Sequence, residues 1–232
     1  MRIPLTKYGW PQVAVVPAVV LFVMVVVGLA TRDILPPWTV IIIEGILAGI
    51  LIFSLSFFRD PQRRCPTETN ILLAPADGRI TDVELIEAND DIKGTTLRIS
   101  IFLSIFNAHI NRAPCNVKVG AISYKKGKYK NAMNPQSAQV NESNEISLTR
   151  TDSPLDRLVV KQISGAIARR IVCDTKTGQE LAAGEKFGMI KFGSRTELYV
   201  SSQGAQYRIK SLVRKGDKVK AGLTALARYE KC

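Results

Sequence analysis

The sequence predicts an N-terminal transmembrane helical hairpin followed by a β-dominated domain of barrel-sandwich or lipoyl-like character. Three observations predict it: two long apolar runs near the start, a polar segment with two prolines after them, and short apolar runs broken by turn residues from there on. In a chain of 232 residues, this leaves room for one domain of ordinary size beside an anchor.

The anchor is expected over residues 1–58. Residues 13–29, VAVVPAVVLFVMVVVGL, carry no charge, and residues 38–58, WTVIIIEGILAGILIFSLSFF, carry only Glu44. Each run approaches the roughly 20 apolar residues that a helix needs to cross hydrocarbon. A cleaved signal peptide would have a shorter apolar core and no second run, so two membrane helices are expected, at about 13–30 and 38–58. Arg2 and Lys7 precede the first, Arg59, Arg63 and Arg64 follow the second, and the connector holds one Arg and one Asp. The positive-inside tendency then puts both ends at the cytoplasmic side of a cell membrane, together with everything beyond residue 59. Tyr8, Trp10 and Trp38 stand where interfacial aromatics are expected, and Pro17 is placed to kink the first helix. Glu44 must be protonated, paired or close to an interface.

Residues 59–70, RDPQRRCPTETN, read as a linker. Beyond it, in 71–232, apolar runs separated by Gly, Asp and Asn turns recur at the spacing of a sandwich or barrel, with no long amphipathic helix. TGQELAAGEKFGMI and KGDKVKAGLTALA each place two glycines six residues apart, Gly178/Gly184 and Gly216/Gly222, ahead of an apolar strand. The hairpins of lipoyl- and biotinyl-carrier domains fit this spacing. Ordinary hairpins with Gly at positions of positive φ fit it equally well.

Composition excludes several functions. The formal net charge of +12 suits either a solvated lysine-rich surface or one that attracts anionic lipid headgroups, and the anchor favours lipid. Nucleic acid is not an expected partner, since SYKKGKYK is the one dense basic run and no reading motif surrounds it. Cys65, Cys115, Cys173 and Cys232 form no C-x-x-C pattern and read as reduced thiols. With His109 as the single histidine, most His-rich metal or catalytic schemes are excluded and no metal is expected.

Three islands remain as candidates for chemistry. APADGRI holds Asp77 before Gly78, which alone is a turn signal. FLSIFNAHINRAPCNV holds His109 and, three residues on, Arg112; a lone histidine in an apolar context is commonly structural. KFGSRTELYV holds the pair Gly193 and Ser194, worth little by itself.

Taken in order behind a membrane anchor, these islands together with FFRDPQR, NESNEI and VKQISGAIARRIVC resemble the phosphatidylserine decarboxylases. The resemblance is closest to their short class, which includes the archaetidylserine-type enzymes, and it covers essentially the whole chain after the anchor. It implies a self-cleaving proenzyme in which the bond between Gly193 and Ser194 breaks and Ser194 becomes a covalently held pyruvoyl group. A Schiff base between that group and the serine amine of a phospholipid would then carry decarboxylation to the ethanolamine lipid, with ester or ether tails. The partners implied are the bilayer lipid and the chain's own fragments, 1–193 and 194–232, held as a heterodimer, with a homo-oligomer left open.

The serine hydroxyl needs a base. His109 is the one imidazole, and Asp77 is the expected orienting carboxylate by the logic of an Asp-His-Ser triad. Longer relatives carry a second histidine where this chain has Arg112. Arg112 is too basic to take a proton and suits phosphate or carboxylate, as do Arg170 and, in the same ARR run, Arg169. YKKGKYK offers further phosphate contacts, or a solvated face. Glu142 and Asn144 match a polar island of the family without an assigned role. Two other readings compete: a membrane-anchored lipoyl-like adaptor without catalysis, and a serine hydrolase using Ser194, His109 and Asp77 on an intact chain. Self-cleavage separates both from the decarboxylase.

Overall fold

The computed structural model describes residues 5–87, 95–134, 136–166, 170–191, 193–201 and 207–232, so that Arg2 and Arg169 lie outside the described residues. Two compact units divide the chain, Met1–Gln62 and Arg63–Cys232.

The first unit is the apolar hairpin. Helices α1 (Gln12–Thr31) and α2 (Pro37–Phe57) match the expected spans to within one residue at each end. Both are apolar on every side, as lipid-facing helices are. Pro37 opens α2 at the first helical position, where a missing N–H costs nothing. Glu44 lies against Gly28 of α1, its Oε1 buried without a hydrogen-bond partner.

The second unit is strand-rich. Its elements are β1 (Ile71–Leu73), β2 (Gly78–Ile86), β3 (Thr96–Leu103), β4 (Ile110–Arg112), β5 (Val117–Lys125), the single turn α3 (Ser137–Val140), β6 (Ser143–Arg150), β7 (Arg157–Ile163), β8 (Ile171–Cys173), β9 (Glu180–Leu181), β10 (Lys186–Ile190), β11 (Ser194–Ser201), β12 (Tyr207–Ser211), β13 (Lys218–Val219) and β14 (Ala225–Lys231). An antiparallel sheet runs in the order β13-β2-β3-β11-β7-β6-β5-β9, with two smaller sheets, β1-β14-β12 and β4-β10-β8. Alternation builds the core: Leu97, Ile99, Ile101 and Leu103 of β3 meet Leu198 and Val200 of β11 and Leu158 and Val160 of β7, all almost fully buried. Each such side chain contributes about 1.5–3 kcal/mol.

This unit begins at Arg63 rather than at the expected 71. The Arg63 guanidinium holds both oxygens of Asp77 and the carbonyl of Ala221, which draws the second half of the expected linker into the β unit.

The two glycine-spaced repeats are not hairpins. All four glycines do have positive φ, between 69° and 100°, but β9 pairs with β5 and β10 with β4 and β8, while β13 pairs with β2 and β14 with β1 and β12. The repeat is half of a pseudo-twofold arrangement. Gly178 and Gly184 donate to the carbonyls of Val119 and Ala113, as Gly216 and Gly222 donate to those of Ile80 and Ala74. Asn116 Oδ1 accepts from Ala183 N–H at 2.8 Å, and Asp77 Oδ1 accepts from Ala221 N–H at 2.8 Å. ILLAPADGRI and INRAPCNVKV are thus one motif used twice, and the order of the large sheet is symmetric about the junction of β11 and β7.

Candidate functional site

Ser194 stands at that junction. It is the first residue of β11, fully buried, and pairs with Leu103 of β3. Gly193 before it has φ +56°, in the left-handed region where a side chain is strained. The Ser194 hydroxyl is buried without a hydrogen-bond partner. Such a group normally finds one, so its exception points to a use.

Register places the wall opposite. Arg195 pairs with Ile163, which sets Ser164 across from Ser194 and Gly165 across from Gly193. Gly165 approaches so closely that a methyl group there would collide with the Gly193 carbonyl oxygen. Ser164 is fully buried, and its hydroxyl also lacks a partner. Its backbone is fixed on both sides: Asn141 Nδ2 donates to the Ser164 carbonyl at 2.8 Å, and Ser164 N–H donates to the Glu142 carbonyl at 2.9 Å. The island NESNEI therefore acts by holding this wall.

His109 arrives by the β3–β4 connection. Asn107 closes a tight turn by accepting from the backbone and hydroxyl of Ser104, both at 2.9 Å, and Ile105 packs beside Gly193. The His109 carbonyl accepts from Ile190 N–H, at the end of the strand that leads to Gly193. The ring is fully buried, with Nδ1 at 2.9 Å from the Asn107 carbonyl. A carbonyl only accepts, so Nδ1 carries the proton and Nε2 is the basic nitrogen.

A buried amide chain underlies the strand. Asn144 Nδ2 donates to Gln162 Oε1 at 3.0 Å, Gln162 Nε2 donates to Asn111 Oδ1 at 2.9 Å, and Asn111 Nδ2 donates to Thr196 Oγ1 at 3.1 Å. On the opposite face of β11, Arg195 pairs with Glu197 at 2.8 Å, and Ser100 Oγ bridges the two at 2.9 and 3.1 Å. Tyr199 donates to Glu197 at 2.5 Å. Burial, reinforced by the Glu197 carboxylate, raises the Tyr199 phenol far above its usual value and keeps it a donor.

The remaining expected residues are placed differently. The Asp77 carboxylate accepts from Arg63 and from Ala221 N–H, and the Asn107 carbonyl lies against Nδ1 of the His109 imidazole. Arg112 is nearly buried, donates to the Gly184 carbonyl at 3.0 Å and packs beside Gly222, facing the pseudo-symmetric turns. Arg170 is exposed, and its carbonyl accepts from the N–H of buried Lys191 at 3.2 Å. Burial, with the Arg170 charge adding to it, lowers the Lys191 ammonium from the ordinary lysine value. No cluster of three His, Cys, Asp or Glu suited to a metal occurs among the described residues. Burial pushes the Cys115 thiol up to about 12, leaving it inert.

Sequence reasoning missed Ser164, Gly165, Asn111, Gln162 and Thr196. The alternation of polar residues inside VKQISGA and HINR was visible, but the partners lie on separate strands.

Comparison with known proteins places the chain among a family of decarboxylases. The phosphatidylserine decarboxylase family model matches residues 50–227. A phosphatidylserine decarboxylase proenzyme of Ralstonia nicotianae is 38% identical over 229 residues, covering 97% of this chain and 96% of the relative. One from Carboxydothermus hydrogenoformans is 40% identical over 187 residues, covering 80% and 84%. One from Desulfotalea psychrophila is 42% identical over 174 residues, covering 75% and 78%.

Proposed function

The chain belongs to the phosphatidylserine decarboxylase family, and from that premise we propose that it is a self-processing, pyruvoyl-dependent enzyme converting phosphatidylserine to phosphatidylethanolamine. The observation that carries the reading is the Ser194 hydroxyl, buried without a partner directly after a glycine of positive φ.

In maturation, His109 Nε2 takes the Ser194 proton and Oγ attacks the Gly193 carbonyl carbon. The C–N bond breaks, the amine of residue 194 gains a proton, and Gly193 is left as an ester of the serine oxygen. Loss of the residue-194 Cα proton then expels the Gly193 carboxylate and leaves dehydroalanine. Water replaces its nitrogen, ammonia leaves, and the new fragment begins with a pyruvoyl group. Gly165 holds the scissile carbonyl, and the facing Ser164 hydroxyl donates to the oxyanion, a role worth about 100- to 1000-fold elsewhere. Asp77 serves at one remove: it fixes the 74–77 turn, whose Pro75 carbonyl accepts from the backbone of Arg112 and from Asn111 beside His109.

The pyruvoyl carbonyls supply an electron sink for the pair released when carbon dioxide departs. His109 then returns a proton to the substrate Cα, and Arg170 with Lys191 attracts the headgroup's phosphate. Arg112 secures the wall through Gly184. The fragments 1–193 and 194–232 stay together as a heterodimer because β11 remains paired on both sides. The positive charges flanking the helices favour a cytoplasmic catalytic unit.

An ether-linked archaetidylserine presents the same reacting headgroup, and carbon dioxide release measured on both lipids assigns the substrate. Release matched by ethanolamine lipid is expected from phosphatidylserine; release from neither serine lipid by cleaved protein overturns the reading. His109→Ala should stop cleavage, and a variant that still cleaves removes His109 from maturation.

A further inference from the structure

Two loops border the scissile bond, and both carry exposed apolar side chains. The loop with Ile105 beside Gly193 presents Phe106, which is 72% exposed. The segment 125–134 seats buried Ala132 against Gly165 and presents Tyr129, 44% exposed, and Met133, 61% exposed. Tyr124, 59% exposed, directly precedes this segment, whereas Leu85, Leu155 and Leu212 stand singly in the sequence, as is ordinary for a soluble surface. Three on the two loops that border one bond form a patch, and patches mark contact surfaces.

The patch has a charge. Lys125, Lys126, Lys128 and Lys130 are all exposed in KKGKYKNAMN, a stretch without an acid. It is also held in place. Asn141 accepts from Lys130 N–H at 2.9 Å and donates to the Lys130 carbonyl at 2.8 Å, and the same Nδ2 donates to the Ser164 carbonyl. Lys128 exchanges backbone hydrogen bonds with Val140 and Glu142, and Gly127 packs so closely on Asn141 that a side chain there would collide. The basic loop and the wall opposite Ser194 are thus clamped by one residue.

We propose that Phe106 and the 125–134 loop form a docking surface that seats the rim of the site on an anionic bilayer, the apolar tips entering the interface and the lysines meeting lipid phosphates and carboxylates. This rests on the lipid reading of the site and adds to it which face of the domain meets the membrane. A tether of two helices limits how far the domain can travel but selects no face; an apolar and cationic rim does. A second copy of this chain is a poor occupant, because an isologous contact would set the same lysines against one another.

The test uses the full chain in vesicles with Trp10→Phe and Trp38→Phe, so that Phe106→Trp is the single indole. In phosphatidylglycerol-containing vesicles, emission should shift to the blue and be quenched by brominated acyl chains, severalfold more than in pure phosphatidylcholine. Adding Lys126→Glu, Lys128→Glu and Lys130→Glu should remove the excess quenching while fragment release, which reports folding and self-cleavage, stays as in the parent. Absence of quenching in both vesicles overturns the proposal, as does quenching indifferent to lipid charge. A blue shift that grows with protein concentration in lipid-free detergent also overturns it, in favour of self-association. Fluorescence needs no turnover, so a protein that docks but does not decarboxylate counts against the enzymatic reading alone.

Discussion

On one face of β11, Arg195, Glu197, Tyr199 and Ser100 form a linked set of buried polar contacts; on the other, the same strand begins with a buried hydroxyl that has no partner. The first face resists slippage. A shift of one residue would exchange the faces and bring Arg195 and Glu197 into the core occupied by Leu198 and Val200. The second face leaves the Ser194 hydroxyl without a partner. The proposed cleavage at the first residue of this strand would need both, since afterwards only pairing and side chains would hold the new end in place.

The largest expected effect isolates the unpartnered face. Ser194→Ala should abolish fragment formation and decarboxylation while unfolding at no lower temperature than the self-cleaved parent, because a buried unsatisfied hydroxyl contributes nothing to stability. Gel electrophoresis and thermal melts check the two halves. Next comes the wall: Gly165→Ala should slow cleavage by about 100-fold or more, as small displacements of reacting atoms do, because its methyl collides with the Gly193 carbonyl. A time course of fragment appearance reads this.

The satisfied face should respond in stability rather than in chemistry. Glu197→Gln leaves Arg195 buried without its counter-charge, and a loss of about 3–5 kcal/mol is expected in urea unfolding, with cleavage retained in the folded fraction. A cleavage defect as large as that of Gly165→Ala would erase the distinction between the faces. The smallest effect belongs to Thr196→Val, which removes the hydroxyl that accepts from Asn111 and should cost about 1 kcal/mol.

Much of this was legible in the sequence for reasons that differ by region. The hairpin is a matter of composition: about 20 apolar residues in a row have one stable form in a bilayer. The family was legible because the islands that hold His109, Gly193 and Ser194 follow one another in its order, and the fold sets the His109 carbonyl against the end of the strand that leads to Gly193. The hydrogen-bond partners of Asp77 were not legible, because a charge in a turn does not announce them; Arg63, in what read as a linker, lies 14 positions away. The glycine pairs announced turns correctly but not which strands the turns join, since strand pairing is decided by contacts remote in sequence. For the same reason the link between Asn111 and Thr196, 85 positions apart, has no local signature.

The central claim is that the peptide bond before Ser194 is broken by Ser194 itself, and intact-protein mass spectrometry of the purified full chain tests it most directly. The account predicts two species, residues 1–193 and a 194–232 fragment one ammonia lighter than a serine-initiated peptide, the latter gaining mass on reaction with a carbonyl-specific hydrazine. A single uncut chain that nonetheless releases carbon dioxide from phosphatidylserine would contradict it.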